Sequence, residues 1–176
     1  MHGNKFMIDD DAATDVKGPT LRQRWPILAV LLLSLMVTSI DHTIVNVALP
    51  EMVRDVGASS SDLQWVVDAY TLVFAGLLLT AGSFGDRRGR KKALIGGLMV
   101  FGLGSVIAAT AGSAGAVIAG RAVMGLGGAF IMPTTLSILV NVFTSRRERA
   151  KAIAAWAAAS SLGIAAGPLV GGWLMR

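Results

Sequence analysis

The 176 residues include no cysteine, which excludes a disulfide framework, a thiolate metal site and a cysteine nucleophile. Histidine is almost as scarce: His2 stands in a polar N-terminal stretch, and the other is His42. With no metal-ligand cluster and no paired nucleophile and base, an enzyme is not expected. No G-x-x-x-x-G-K-[ST] pattern occurs, so ATP-driven chemistry has no support in this chain. Charge is thin as well. Asp, Glu, Lys and Arg make up 15% of the residues, against about 25% in soluble domains.

What fills the chain instead is apolar. Hydrophobic residues reach 53% and glycine 21 positions, and the mean hydropathy is +0.63. Each Gly inside a soluble helix costs roughly 0.8–1 kcal/mol relative to Ala, but Gly is common where membrane helices touch. Since about 20 apolar residues cross a bilayer, the chain has room for five crossings. The composition predicts an all-α, polytopic membrane protein.

Residues 1–26 carry Asp9, Asp10, Asp11, Lys17, Arg22 and Arg24, with Gly18, Pro19 and Pro26 as breakers, and read as a disordered tail. The next run, 27–49, is too long for a signal-peptide core of about 7–15 residues. It is expected to be the first span, followed by 64–84, 93–112, 116–140 and 152–174. Basic residues collect in alternate linkers: Lys5, Lys17, Arg22 and Arg24 before the first span, Arg87, Arg88, Arg90, Lys91 and Lys92 after the second, Arg146, Arg147, Arg149 and Lys151 after the fourth. Arg54 and Arg176 fall on the opposite side, and Arg121 within a span. Lys and Arg accumulate in cytoplasmic loops, so the N-terminus is expected in the cytoplasm of a multi-pass plasma-membrane protein. The formal net charge of +5 then reflects topology and contact with anionic lipid rather than nucleic-acid binding.

Three ionisable side chains fall inside the expected spans: Asp41, Asp68 and Arg121. Asp or Arg at a helix centre costs roughly 2.5–3.5 kcal/mol on insertion scales, so such residues face a bundle interior or an aqueous cavity. Asp41 has polar company at helical spacing: Ser34 and Thr38 on its own stripe, Ser39, Thr43, Asn46 and Pro50 on an adjacent one. A carboxylate in that setting can bind and release a proton near neutral pH, which is what proton coupling requires. His42 reads first as a packing residue. Arg121 stays charged and is expected to meet one of the two acids. Asp68, about one helical turn inside its span, can also be wetted from the interface.

Glycine and proline form the second pattern. Ala159, Gly163, Gly167 and Gly171 recur every four residues in the fifth span, with Pro168 and Gly172 following two of them. That spacing makes a shallow groove for close approach of another helix, and Pro168 should bend it. Gly120, Gly125, Gly127 and Gly128 flank Arg121 ahead of Pro133, as suits a helix bordering a cavity. The stretch Gly82-Ser83-Phe84-Gly85-Asp86-Arg87-Arg88-Gly89-Arg90-Lys91-Lys92 reads as a tight cytoplasmic turn that Gly85 and Gly89 permit.

These motifs resemble the major facilitator superfamily. Gly82 to Leu94 is similar to the family's motif between helices two and three, with Phe84 at the usual Leu. Asp41 to Pro50 looks like the first-helix motif of drug:proton antiporters with fourteen spans. Gly120 to Gly127 resembles the fourth-helix motif, with Met124 in place of a Gln, and Gly163 to Gly172 resembles the fifth-helix antiporter motif. The order and spacing follow the family from about Leu28 to Leu174.

The resemblance implies export of small hydrophobic or cationic compounds in exchange for protons, with the proton gradient as energy source and no cofactor. It assigns proton coupling to Asp41 and Arg121, while Asp68 stays a further candidate from its place inside the second span. It assigns gating to Gly82, Asp86, Arg87, Gly89 and Arg90, and the antiport direction to Gly163, Gly167, Pro168, Gly171 and Gly172. It also implies that the five spans are most of an N-terminal six-helix bundle. A partial chain, not active alone, is therefore the expectation, with the missing half or a second copy as partner. A membrane interaction protein or split-transporter subunit is the alternative reading. A metabolite symporter or uniporter on the same fold is a further one, since fold does not fix substrate.

Overall fold

The computed structural model describes residues 21–55 and 57–174. Within them the chain forms five helices and no strand: α1 (Leu21–Asp55), α2 (Ser60–Arg88), α3 (Arg90–Ala109), α4 (Ala114–Val142) and α5 (Arg146–Leu174). All five are long and apolar enough to cross a membrane.

Most helices overrun the expected spans. The first twenty residues of the expected tail, and Arg176, lie outside the described residues, but residues 21–26 are already helical. Pro26 falls early in α1, where its fixed φ suits a helix and one i→i−4 bond is forgone. α2 starts at a capping box: Ser59 Oγ accepts from Asp62 N at 3.2 Å, and Ser59 N donates to Asp62 Oδ2 at 2.9 Å, which satisfies two free N–H groups of the first turn. Ser113 caps α4 by its side chain alone, accepting from Ala116 N at 3.3 Å. Arg149 closes the α4–α5 linker by donating from Nε to the Phe143 carbonyl at 3.0 Å.

The expected turn at 82–92 is corrected. α2 continues through Arg88, and Gly85 is a buried helical residue beside Thr134 Oγ1 and Ala93 Cβ. The break falls at Gly89 alone, whose φ of 101° lies where side-chain-bearing residues rarely go. One residue thus separates two helices.

α4 is the centre of the bundle. It packs against α2 on one side and α3 on another, while α5 lies along α1. The α3–α4 crossing is a glycine contact: a Cβ on Gly104 would lie 2.8 Å from the Gly120 carbonyl oxygen, and one on Gly97 would lie 3.0 Å from that of Gly127. With no hydrophobic drive between helices in lipid, such close backbone approach supplies the packing attraction. Met124 sits against Gly104 in this crossing, so the position that departs from the family's Gln holds an apolar knob in a glycine notch. On the other side of α4, Gly125 faces the Tyr70 backbone and Gly128 its hydroxyl. The glycines around Arg121 therefore serve two helix contacts, and of these Gly128 also borders a cavity.

The groove predicted on α5 has its occupant. Gly163 meets Met36 and Ser39, Gly167 meets Ile40 and Thr43, and Gly171 meets Ile44 and Val47, all on α1. Ala159 and these three glycines are buried, whereas Pro168 and Gly172 are exposed. The two helices are further joined by Ser39 and Ser160, whose hydroxyls lie 3.2 Å apart, and by an ion pair between Arg24 and Glu148 at 3.3 Å.

Candidate functional site

Arg121 projects from α4 into the bundle, where its side chain is only 4% exposed. A guanidinium in that position needs most of its donors met. Nη1 donates to Asp41 Oδ2 on α1 at 2.6 Å, and Nε donates to the Val66 carbonyl oxygen on α2 at 3.2 Å. Its Cζ stands 4.5 Å from the centre of the Tyr70 ring, a cation–π distance. Three helices thus converge on one cation.

Asp41 is the acid that Arg121 meets. Asp68 lies on α2, partly buried, and its carboxylate makes no ion pair or hydrogen bond among the described residues. The polar stripe on α1 is largely self-satisfied: Ser34 Oγ donates to the Val30 carbonyl at 2.8 Å, Thr38 Oγ1 to that of Leu35 at 2.8 Å, and Thr43 Oγ1 to that of Ile40 at 3.2 Å. Such back-bonding lets hydroxyls enter an apolar bundle. It also leaves Asp41 as the one ionisable member of the stripe.

A cavity of about 370 Å³ is lined by residues of α1, α2, α4 and α5, among them neighbours of the pair but neither Asp41 nor Arg121. Thr38 and His42, which flank Asp41 on its helix, are on its wall together with Tyr70, Phe74 and Met132. The aromatic rings are in sequence. His42 and Tyr70 are 5.6 Å apart at 45°, and Tyr70 stacks on Phe74 at 5.9 Å and 9°. Tyr70 therefore meets both the Arg121 cation and the cavity. Sequence reasoning missed it, although the chain has a single tyrosine and it follows Asp68 by two residues.

The residues of the α2–α3 motif form a separate cluster. Asp86 Oδ1 accepts from Arg90 Nε at 2.8 Å across the Gly89 break and from Ser137 Oγ on α4 at 3.2 Å. Gly82 lies against Pro133. Arg87 is exposed. No group of three or more His, Asp or Glu able to hold a metal occurs among the described residues.

Residues 31–176 match the Major Facilitator Superfamily. The chain belongs to this superfamily. Among curated relatives, it is 43% identical over 157 residues to a multidrug efflux pump of Mycolicibacterium smegmatis, an alignment covering 89% of this chain and 31% of the pump. It is 39% identical over 158 residues to a puromycin resistance protein of Streptomyces alboniger, covering 90% and 31%. A methyl viologen resistance protein of Salmonella typhimurium is 39% identical over 154 residues, covering 88% and 31%. The chain thus spans about 31% of the length of these facilitator relatives. The five apolar helices and the family make it a multi-pass membrane protein.

Proposed function

We propose that this facilitator chain supplies the proton-coupling pair and part of the drug-binding wall of an exporter that exchanges small hydrophobic or cationic compounds for protons. The observation that carries the reading is the Asp41–Arg121 pair at 2.6 Å beside an aromatic-walled cavity. Desolvation makes the pair's attraction strong, and Arg121 has two further anchors. When a proton neutralises Asp41, the cation therefore stays in place on Val66 and Tyr70 while the acid is freed from it. A cationic compound in the cavity favours the ionised acid, a proton favours the neutral one, and competition between the two couples their movements. On this reading Asp41, rather than Asp68, is the principal proton site.

The remaining assignments follow. Asp86, Gly89 and Arg90, with Gly82 and Arg87 alongside, form the gating connection of α2 to α3 and α4. Gly163, Gly167 and Gly171 form the α1–α5 contact, Pro168 and Gly172 stand on the exposed face of the same α5 segment, and together they set antiport geometry. The three basic segments face the cytoplasm, lipid surrounds the outer faces, and a second transporter half or second copy covers the cavity. Residues 27–176 are then part of an N-terminal bundle.

The test is made at the binding step. Tetraphenylphosphonium, a lipophilic cation, is added to the purified chain in weakly buffered detergent, with tryptophan fluorescence reporting binding and an indicator dye reporting protons. The wild type should release a proton on binding, and Asp41→Asn should bind without release. Continued release in Asp41→Asn together with its loss in Asp68→Asn would move the proton site to α2.

A further inference from the structure

A second large opening shares no lining residue with the cavity described above. It is a groove of about 610 Å³ between α2, α3 and α4. Its walls are three pairs or stripes at helical spacing: Phe84 and Arg88 on α2, Lys92, Gly96 and Val100 on α3, and Leu126 and Phe130 on α4. Residues four apart share a face, so each helix contributes one ridge.

The groove is polar at one end only. Arg88 and Lys92 are both exposed and stand where α2 ends and α3 begins. From Lys92 to Val100 the floor descends eight residues, about 12 Å at 1.5 Å per residue. That is less than one leaflet of a hydrocarbon core about 30 Å thick, and along it the wall is apolar.

Two local choices build this shape. Phe84, the residue that stands where the family motif has Leu, holds the Arg88 guanidinium 5.4 Å from its ring centre and meets Phe130 edge-on at 5.8 Å. It fixes a cation at the rim and closes one wall. Gly96 keeps the floor open, since a Cβ there would meet nothing within 4 Å. Its neighbour Gly97 also lines the groove but is packed into the α3–α4 crossing, where an added Cβ would meet Phe130 and the Gly127 carbonyl oxygen.

We infer that this groove binds an anionic glycerophospholipid, with its phosphate between Arg88 and Lys92 and an acyl chain along Gly96, Val100, Leu126 and Phe130. Cations at one end of an apolar channel match the two ends of that molecule. A free phosphate lacks the chain that fills the floor, and a zwitterionic lipid lacks the net charge that two cations select. The leaflet follows from the proposed orientation; the recognition chemistry does not.

Native mass spectrometry of the purified chain tests the site with dioleoylphosphatidylglycerol, dioleoylphosphatidylcholine and glycerol phosphate as probes. Phosphatidylglycerol should bind in preference to both others. The R88Q/K92Q double variant should lose about 25-fold in apparent affinity, each basic residue near an anionic surface being worth about fivefold. Gly96→Leu fills the floor without meeting protein atoms and should lose the lipid while both cations remain. Phe84→Leu should weaken binding to a lesser degree. R146Q/R147Q, which removes two charges elsewhere, and Asp41→Asn should bind as wild type, so failure of the proton reading leaves this result standing. Equal binding of phosphatidylcholine, glycerol phosphate binding as tightly as the lipid, or equal losses in R88Q/K92Q and R146Q/R147Q would each overturn the proposal.

Discussion

Gly167 of α5 stands so close to α1 that an added Cβ would lie 3.0 Å from the Ile40 carbonyl oxygen and 2.9 Å from Thr43 Cβ. Neither neighbour can give way cheaply: one is helix backbone, and the other is a β-branched side chain whose hydroxyl is already bonded to the Ile40 and Ser39 carbonyls. Gly167→Val should therefore separate the two helices and cost about 1–3 kcal/mol, the usual range for overpacking. Gly172→Ala, where nothing lies within 4 Å, should be close to neutral. Unfolding of the reconstituted chain by graded detergent denaturation measures both, and equal effects would remove Gly167 from the contact.

The period-four small residues of α5 were legible because a groove is a property of one helix, and one helix is what a sequence displays. Its occupant was not legible, since the partner α1 is more than a hundred residues away in the chain. The same holds for the ion pair. The cost of burying Asp41 and Arg121 could be read from their places in apolar runs, but choosing Asp41 over Asp68 required the relative rotation of α1, α2 and α4. Gly85 misled for a related reason: in isolation a glycine before Asp-Arg-Arg-Gly suggests a turn, whereas its role is to make room for Thr134 and Ala93. Tyr70 carried no pattern of its own, because a lone aromatic in an apolar span is indistinguishable from packing until its cation is located.

Tyr70 is held in place by the absence of a side chain opposite it. A Cβ on Gly128 would come 2.8 Å from the Tyr70 hydroxyl and 3.3 Å from Phe74. Gly128→Ala should push the ring from Arg121 and alter the cavity, weakening tetraphenylphosphonium binding several-fold with little change in helicity. Gly76→Ala, on α2 with nothing within 4 Å, is the control. Unchanged binding in Gly128→Ala would show that the ring's position is immaterial to the cavity.

Asp86 links three segments through one carboxylate oxygen, taking Arg90 from beyond the Gly89 break and Ser137 from α4. Asp86→Asn should weaken the charge-assisted bond to Arg90, the stronger of the two kinds, and raise amide hydrogen exchange in the last turn of α2 and the first turn of α3. Ser137→Ala should raise it in α2 to a smaller extent. If exchange in Asp86→Asn matches the wild type, the carboxylate does not hold the break together.

Arg121 and Asp41 differ in what each leaves behind when removed. Asp41→Asn deletes a charge but leaves Arg121 donating to the Val66 carbonyl and resting on Tyr70, so the loss should be that of one charge-assisted bond, about 1.5–3 kcal/mol. Arg121→Ala leaves the Asp41 carboxylate, 19% exposed, without its partner, and also opens a void between α2 and α4. Breaking a buried pair from one side costs about 3–5 kcal/mol, so Arg121→Ala should be the more destabilising of the two in the same denaturation assay. Arg121→Lys should fall between them, because a single ammonium cannot span Asp41 and the Val66 carbonyl in the way a guanidinium fork does. A larger loss in Asp41→Asn than in Arg121→Ala would mean that the cation depends on Asp41 alone, and that the Val66 and Tyr70 anchors contribute nothing.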